Sequence, residues 1–238
     1  MNARKKVGVL ISGRGSNLAA LIEACRGDDY PAEIAIVISN RPGAEGLELA
    51  SAAGIAAIII DHKASANREI FESRIGDALV KAGVELVCCA GFMRLLTESF
   101  VASWHDRILN IHPSLLPSYR GLDPHERVLR DGGRISGCSV HFMRAEMDSG
   151  PIVAQAAVPV LSDDTPDRLA ARVLKAEHMI YPLALKLVAG GRVQVLEERV
   201  VFKDHETATP PLISPWPCDQ DMCARTALEG NHPHQCRD

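Results

Sequence analysis

Short apolar runs alternate with stretches of helical spacing through the first half of the chain. Residues 7–11, 34–38, 55–60 and 84–89 are apolar almost throughout, and 107–111 continues the series. Runs of this length without polar alternation are what strands buried on both faces of a parallel sheet require. Between them, residues 16–25, 44–53, 67–81 and 97–104 carry helical patterns. The alternation predicts an α/β fold: a mostly parallel twisted sheet with helices on both faces, Rossmann-like in its N-terminal half. The pattern then changes. Residues 137–142 and 152–160 read as strands with little room for a helix between them, so an antiparallel extension of the sheet is predicted there. A long helix follows over 165–188. Thr165 supplies its N-cap, Pro166 its first turn, and Gly190-Gly191 its end. Pro182, inside it, predicts a kink or a split. A last strand region covers 193–202, and no internal repeat is present.

From about residue 204 the periodicity is lost and Pro, His, Cys and acidic residues dominate. This divides the chain into a folded domain, 1–203, and a C-terminal tail, 204–238, expected to be poorly ordered. Cys218, Cys223, His232, His234 and Cys236 of the tail are zinc-ligand types. Their spacing lacks the tight pairs of structural zinc sites, and an unstructured tail is the preferred reading.

Composition narrows the function classes. With 47% hydrophobic residues in a 238-residue chain, a large core is available. A formal net charge of −4 leaves no basic footprint for nucleic acid. Arg4-Lys5-Lys6 is the one consecutive basic run and reads as a solvated end. No apolar run reaches membrane-spanning length or forms a signal peptide, so a cytoplasmic location is expected. The cysteines number seven, and Cys88-Cys89 lie inside an apolar strand, which is no secreted disulfide framework.

Two segments carry candidate chemistry. Ser12-Gly13-Arg14-Gly15-Ser16-Asn17 joins the first strand to the first helix. Its glycines permit a tight turn, and the helix start offers free N–H groups to an anion. The Gly-Lys-Ser/Thr ending of a Walker A loop is missing, and Leu18 stands where a dinucleotide fingerprint has its third glycine. A monophosphate cradle and a plain tight turn both fit. In the second segment, Asn110-Ile111-His112-Pro113-Ser114-Leu115-Leu116-Pro117, the amide and the imidazole lie two residues apart. They therefore share one strand face at the carboxyl end, where α/β sheets hold ligands. Such a pair can steady an oxyanion and handle a proton. Asp148, in the turn Met147-Asp148-Ser149-Gly150-Pro151, is placed to orient His112 and keep it protonated, or merely to serve the turn. His141 reads as a sheet histidine on the face of Ser139.

In order along the chain, the phosphate-loop segment is joined by Ala90-Gly91-Phe92-Met93-Arg94-Leu95-Leu96, then by the Asn110–Pro117 segment, Ser139-Val140-His141-Phe142, Asp148-Ser149-Gly150-Pro151 and Glu177-His178. This set closely resembles the phosphoribosylglycinamide formyltransferase family, folate-dependent enzymes of purine synthesis, over about residues 7–202. The resemblance implies a catalytic trio of Asn110, His112 and Asp148, with His141 a possible support behind it. It implies ribonucleotide binding by Gly15, Ser16, Asn17 and Glu177. It implies a folate pocket lined by Arg68, Met93, Arg94, Leu95 and Leu96, with a mobile loop over 144–148. Some members carry a histidine where Asp123 stands, which weakens any role for that position; His125 follows two residues later.

The resemblance further implies transfer of a formyl group from 10-formyltetrahydrofolate, a co-substrate, to the amine of glycinamide ribonucleotide in de novo purine synthesis. No metal is expected. Partners are expected to be small molecules alone, with neither nucleic acid nor membrane, in a monomer or homodimer. The nearest rival is a formyltetrahydrofolate hydrolase (deformylase), which would use the same trio with water as nucleophile. Such enzymes carry an extra N-terminal regulatory domain, whereas here the first strand begins at residue 7. A methionyl-tRNA formyltransferase would need a further C-terminal domain and a basic surface. A non-catalytic folate or nucleotide binder would need the loop but not the trio.

Overall fold

The computed structural model describes residues 3–203 and 212–214. The expectations for the tail, including its five candidate zinc ligands, fall outside the described residues. The elements run β1 (Lys5–Ile11), α1 (Ser16–Cys25), β2 (Ala32–Ser39), α2 (Gly46–Ala52), β3 (Ala57–Ile59), a 3-10 turn (His62–Ala64), α3 (Arg68–Lys81), β4 (Leu86–Cys89), α4 (Glu98–Ser103), β5 (Ile108–His112), α5 (Pro124–Arg130), β6 (Ile135–Phe142), β7 (Ile152–Pro159), α6 (Pro166–Ala189), β8 (Val193–Leu196) and β9 (Arg199–Phe202).

The main sheet has seven strands in the order β3-β2-β1-β4-β5-β6-β7. Strands β1 to β5 pair in parallel, and β6 and β7 add the antiparallel extension. Both faces are covered. Helices α1, α2 and α6 close one core with Leu18, Leu21, Ala50, Val173, Tyr181 and Leu185. Helices α3 and α4 close the other with Phe71, Ile75, Leu79, Phe100 and Val101. The chain crosses from one face to the other between β3 and β4. Strand order therefore reverses between β1 and β4, which opens the crevice where open α/β sheets bind ligands.

Three helix starts follow from capping chemistry. Asn67, Thr97 and Thr165 each accept a backbone N–H from the first turn of α3, α4 and α6. Pro182 does not split α6, which runs unbroken from Pro166 to Ala189. Its neighbours Ile180, Tyr181, Ala184 and Leu185 are buried on both sides of it, and packing of that stripe offsets one missing helical hydrogen bond. The 193–202 region is two strands, paired as a separate antiparallel hairpin. The helix α5 lies in a stretch with no predicted element. Among the described residues no helix is long and apolar enough to cross a membrane.

Candidate active site

The loop after β1 places Gly15 as the N-cap of α1, in left-handed geometry at φ 78° and with no side-chain cap. The first-turn N–H groups therefore face outward uncapped, at the positive end of a ten-residue helix. Gly15 must be glycine for a second reason: a Cβ there would lie 2.7 Å from the Gly46 Cα. Ser12 ties this loop to its neighbours. Its hydroxyl donates to Asn40 Oδ1 (2.6 Å) and accepts from the Met93 N–H (2.8 Å), joining the carboxyl ends of β1, β2 and β4.

Asn17 is buried, and its side chain is turned away from the loop mouth. Nδ2 donates to Glu177 Oε2 at 2.7 Å, while Oδ1 is buried with no partner. Glu177 on α6 is 7% exposed. Burial pushes its carboxyl above the usual range, and the Asn17 hydrogen bond offsets only part of that. A buried acid and an orphaned amide oxygen beside an anion cradle are a polar subsite with capacity to spare.

The register of β5 against β6 sets Asn110 opposite His141 and His112 opposite Ser139, so these side chains share one face. Asp148 reaches them from the loop after β6. Its Oδ2 lies 3.4 Å from His112 Nδ1, and its Oδ1 lies 3.7 Å from His141 Nε2. The Gly121 N–H also donates to Oδ2, at 2.9 Å. Burial works against the Asp148 carboxylate. The His141 contact, the Gly121 N–H and the charges of His112 and His141 outweigh it and hold the carboxyl below its ordinary range. His141 is 1% exposed, and its Nδ1–H donates to the Phe142 carbonyl at 2.9 Å; a second proton, on Nε2, would face Asp148 Oδ1, whereas in the neutral ring Nε2 is bare. Nε2 can then accept from Asn110 Nδ2 at 3.3 Å, leaving the second amide hydrogen of Asn110 uncommitted. His112 Nε2 meets the Tyr119 carbonyl at 3.0 Å. Both His112 nitrogens thus face acceptors, and a doubly protonated ring has a hydrogen for each.

The positions assigned to folate are spread differently. Met93 (70% exposed) and Leu95 (60%) stand on the loop after β4 with Arg94, while Leu96 is buried in the core beside Phe100. The Leu96 side chain has little exposed surface. Arg68 is exposed at the start of α3, on the same carboxyl edge of the sheet. Leu122 and Met147 add exposed apolar surface next to Gly121 and Asp148. Asp123 takes a left-handed conformation (φ 53°) before α5 and makes no capping bond. His125 Nδ1 is buried without a partner; burial, and then the charge of His112, lower its pKa. His178 on α6 also has a buried, unpartnered Nε2. A cavity of about 430 Å³ at the start of α6 is lined by Asp163, Asp164, Arg168 and Arg172, none of which belongs to this constellation. Among the described residues no group of three or more His, Cys, Asp and Glu could hold a metal ion.

Sequence reasoning did not find the backbone partners: the Tyr119 and Phe142 carbonyls and the Gly121 N–H. Every residue carries such groups, so residue type gives no signal beyond the glycine itself. Nor did it find the carboxylates of Asp106 and Glu198 that hold the Arg144 guanidinium on both sides.

Comparison with known proteins shows the family to which the chain belongs. The formyl transferase family model matches residues 5–185. The trifunctional purine biosynthetic protein adenosine-3 of Gallus gallus is 51% identical over 192 residues, covering 81% of this chain; the chain spans only 19% of that relative's length. The phosphoribosylglycinamide formyltransferase of Haemophilus influenzae is 42% identical over 200 residues, covering 84% of this chain and 94% of that protein. Among solved structures, glycinamide ribonucleotide transformylase 1 from Symbiobacterium toebii superposes with a TM-score of 0.83 at 45% identity, covering 86% of this chain and 96% of that one. A formyltetrahydrofolate deformylase from Burkholderia mallei is more distant: 27% identity and a TM-score of 0.77, covering 85% of this chain and 71% of that one.

Proposed function

Because the chain belongs to the formyl transferase family, and within it to the phosphoribosylglycinamide formyltransferases, we propose that it moves a formyl group from 10-formyltetrahydrofolate to the amine of glycinamide ribonucleotide. One observation carries this reading. An uncapped helix N-terminus after β1 and the Asn110–His112–Asp148 cluster at β5 share the carboxyl edge of the sheet, with only β4 between the two strands. Two strand spacings are about 10 Å. That is the span needed to hold a nucleotide phosphate at one end and present an amine at the other.

The N–H groups of Gly15, Ser16 and Asn17 bind the phosphate. Glu177, oriented by the Asn17 amide, meets the glycinamide end of the nucleotide. Met93, Leu95, Leu122 and Met147 offer apolar surface to the folate, with Arg68 and Arg94 for its charged end. The amine attacks the formyl carbon, and negative charge collects on the formyl oxygen. The free Asn110 N–H and a His112 N–H donate to that oxygen; fixed donors of this kind contribute about 10²–10³ each in rate. His112 supplies its hydrogen by releasing the Tyr119 carbonyl, while Asp148 keeps the ring in place through Nδ1. As the carbon–nitrogen bond to the folate breaks, one proton leaves the attacking amine and one arrives on the folate nitrogen. Asp148 relays it, directly or through water.

The test is release of tetrahydrofolate from 10-formyltetrahydrofolate, followed by absorbance, with and without glycinamide ribonucleotide. Turnover is expected only with the nucleotide. Equal turnover in water alone would make the protein a hydrolase, and no turnover under either condition would make it a binder.

A further inference from the structure

The turn of the β8–β9 hairpin is built from unfavourable residues. Glu197 and Glu198 both adopt left-handed backbone, at φ 47° and 57°. A two-residue hairpin turn with this geometry favours Asn-Gly, and a glutamate pair there is strained. The Glu198 carboxylate has a specific target. It accepts from Arg144 Nε at 2.6 Å and from Nη2 at 3.2 Å. Arg144 Nη2 also donates to Asp106 Oδ1 at 2.7 Å, and Asp106 is itself left-handed at φ 54°. Nη1 donates to the Met143 carbonyl at 3.0 Å. Three strained residues thus bear on, or adjoin, one guanidinium whose side chain is 14% exposed. Strain of this kind persists only where the surroundings fix it, and it is concentrated near functional sites.

Arg144 stands four residues before Asp148, at the base of the loop that carries the carboxylate to His112. We infer that the β8–β9 hairpin is a buttress for this loop. Glu198 and Asp106 fix Arg144, and Arg144 fixes the base of segment 144–148 so that Asp148 stays against His112 and the Gly121 N–H. Arg144 and Glu198 touch no reacting atom; they are positioning residues. Beyond Arg144 the loop is tied by Arg120 to Glu146 (3.0 Å), an exposed pair, and by the Ser149 hydroxyl donating to the Glu146 carbonyl (2.8 Å). The inference rests on the role proposed above for Asp148.

Two variants test it: Glu198→Gln, and the pair Glu197→Asn with Glu198→Gly. The pair relieves the turn while deleting the carboxylate. It is expected to melt at or above the wild-type temperature, yet to lose on the order of tenfold in kcat with little change in the KM for the nucleotide, as misplaced catalytic groups do. Amide hydrogen exchange over 145–149 should speed up in both variants. The acid limb of the kcat profile should move to higher pH, because an Asp148 freed from its donors titrates closer to its ordinary value. Wild-type kcat and wild-type exchange in the Asn-Gly pair would overturn the inference. So would an activity loss that appears only in step with a lower melting temperature. If the unaltered protein shows no nucleotide-dependent transfer, the functional reading fails instead, and exchange over 145–149 still reports whether the hairpin holds the loop.

Discussion

Asp148→Asn is expected to lose about three orders of magnitude in kcat while folding normally, within the range assigned to a positioned acid–base group. The substitution keeps the shape and keeps an oxygen for the Gly121 N–H, which donates to Asp148 at 2.9 Å. It also suits the left-handed backbone at this position (φ 51°), which asparagine tolerates readily. What disappears is the negative charge 3.4 Å from His112 Nδ1, and with it the proton relay. The stability consequence has a definite sign. Folding lowers the Asp148 carboxyl below its reference value of 3.8. Its ionised form therefore stabilises the fold above about pH 3.8, and that contribution is lost as pH falls toward the lower folded-state value. Wild type should lose stability relative to the variant across that acid window, and the two should run parallel near neutrality. Melting curves from pH 2.5 to 7 check this, and near-normal turnover by the variant would remove Asp148 from the mechanism.

Gly150→Ala should damage both fold and activity. A Cβ at this position would lie 1.8 Å from the Phe142 carbonyl oxygen, a backbone atom that cannot swing aside. That oxygen accepts the His141 Nδ1 hydrogen, and His141 in turn meets Asn110 and Asp148. Relieving the clash requires the end of β6 or the Asp148 turn to shift. Overpacking of this kind costs about 1–3 kcal/mol, and a displacement near 1 Å at the reacting groups can cost about 10² in rate. Denaturant unfolding and kcat should therefore fall together. An alanine variant with wild-type values of both would show that the turn is more pliable than these contacts imply.

The sheet and its edge were legible because burial on both faces leaves continuous apolar runs, as in Val7 to Ile11 of β1. The start of α6 was legible because capping depends on residue type, as at Thr165, while α3 and α4 were read from helical spacing alone, without their Asn67 and Thr97 caps. Helix α5 was hidden: in its seven residues only Pro124 and Val128 are buried, and Asp123-Pro124 reads as a turn. The β8–β9 hairpin was read as one strand region because its turn is Glu-Glu where a sequence signal needs Asn-Gly. Asn110 and His112 could be paired from strand periodicity alone. Their partnership with Asp148 could not, since a contact between β5 and the loop after β6 depends on which strands become neighbours. The commitment of the Asn17 side chain to Glu177, 160 positions away, is of the same kind.

The most direct measurement is a crystal structure with glycinamide ribonucleotide and a non-reactive folate analogue bound together. The phosphate is expected on the N–H groups of residues 15–17, with the glycinamide amine facing the position of the formyl carbon, within hydrogen-bond reach of Asn110 and His112. A phosphate seated elsewhere, or an amine on a different edge of the sheet from His112, would contradict the assignment of one shared cleft.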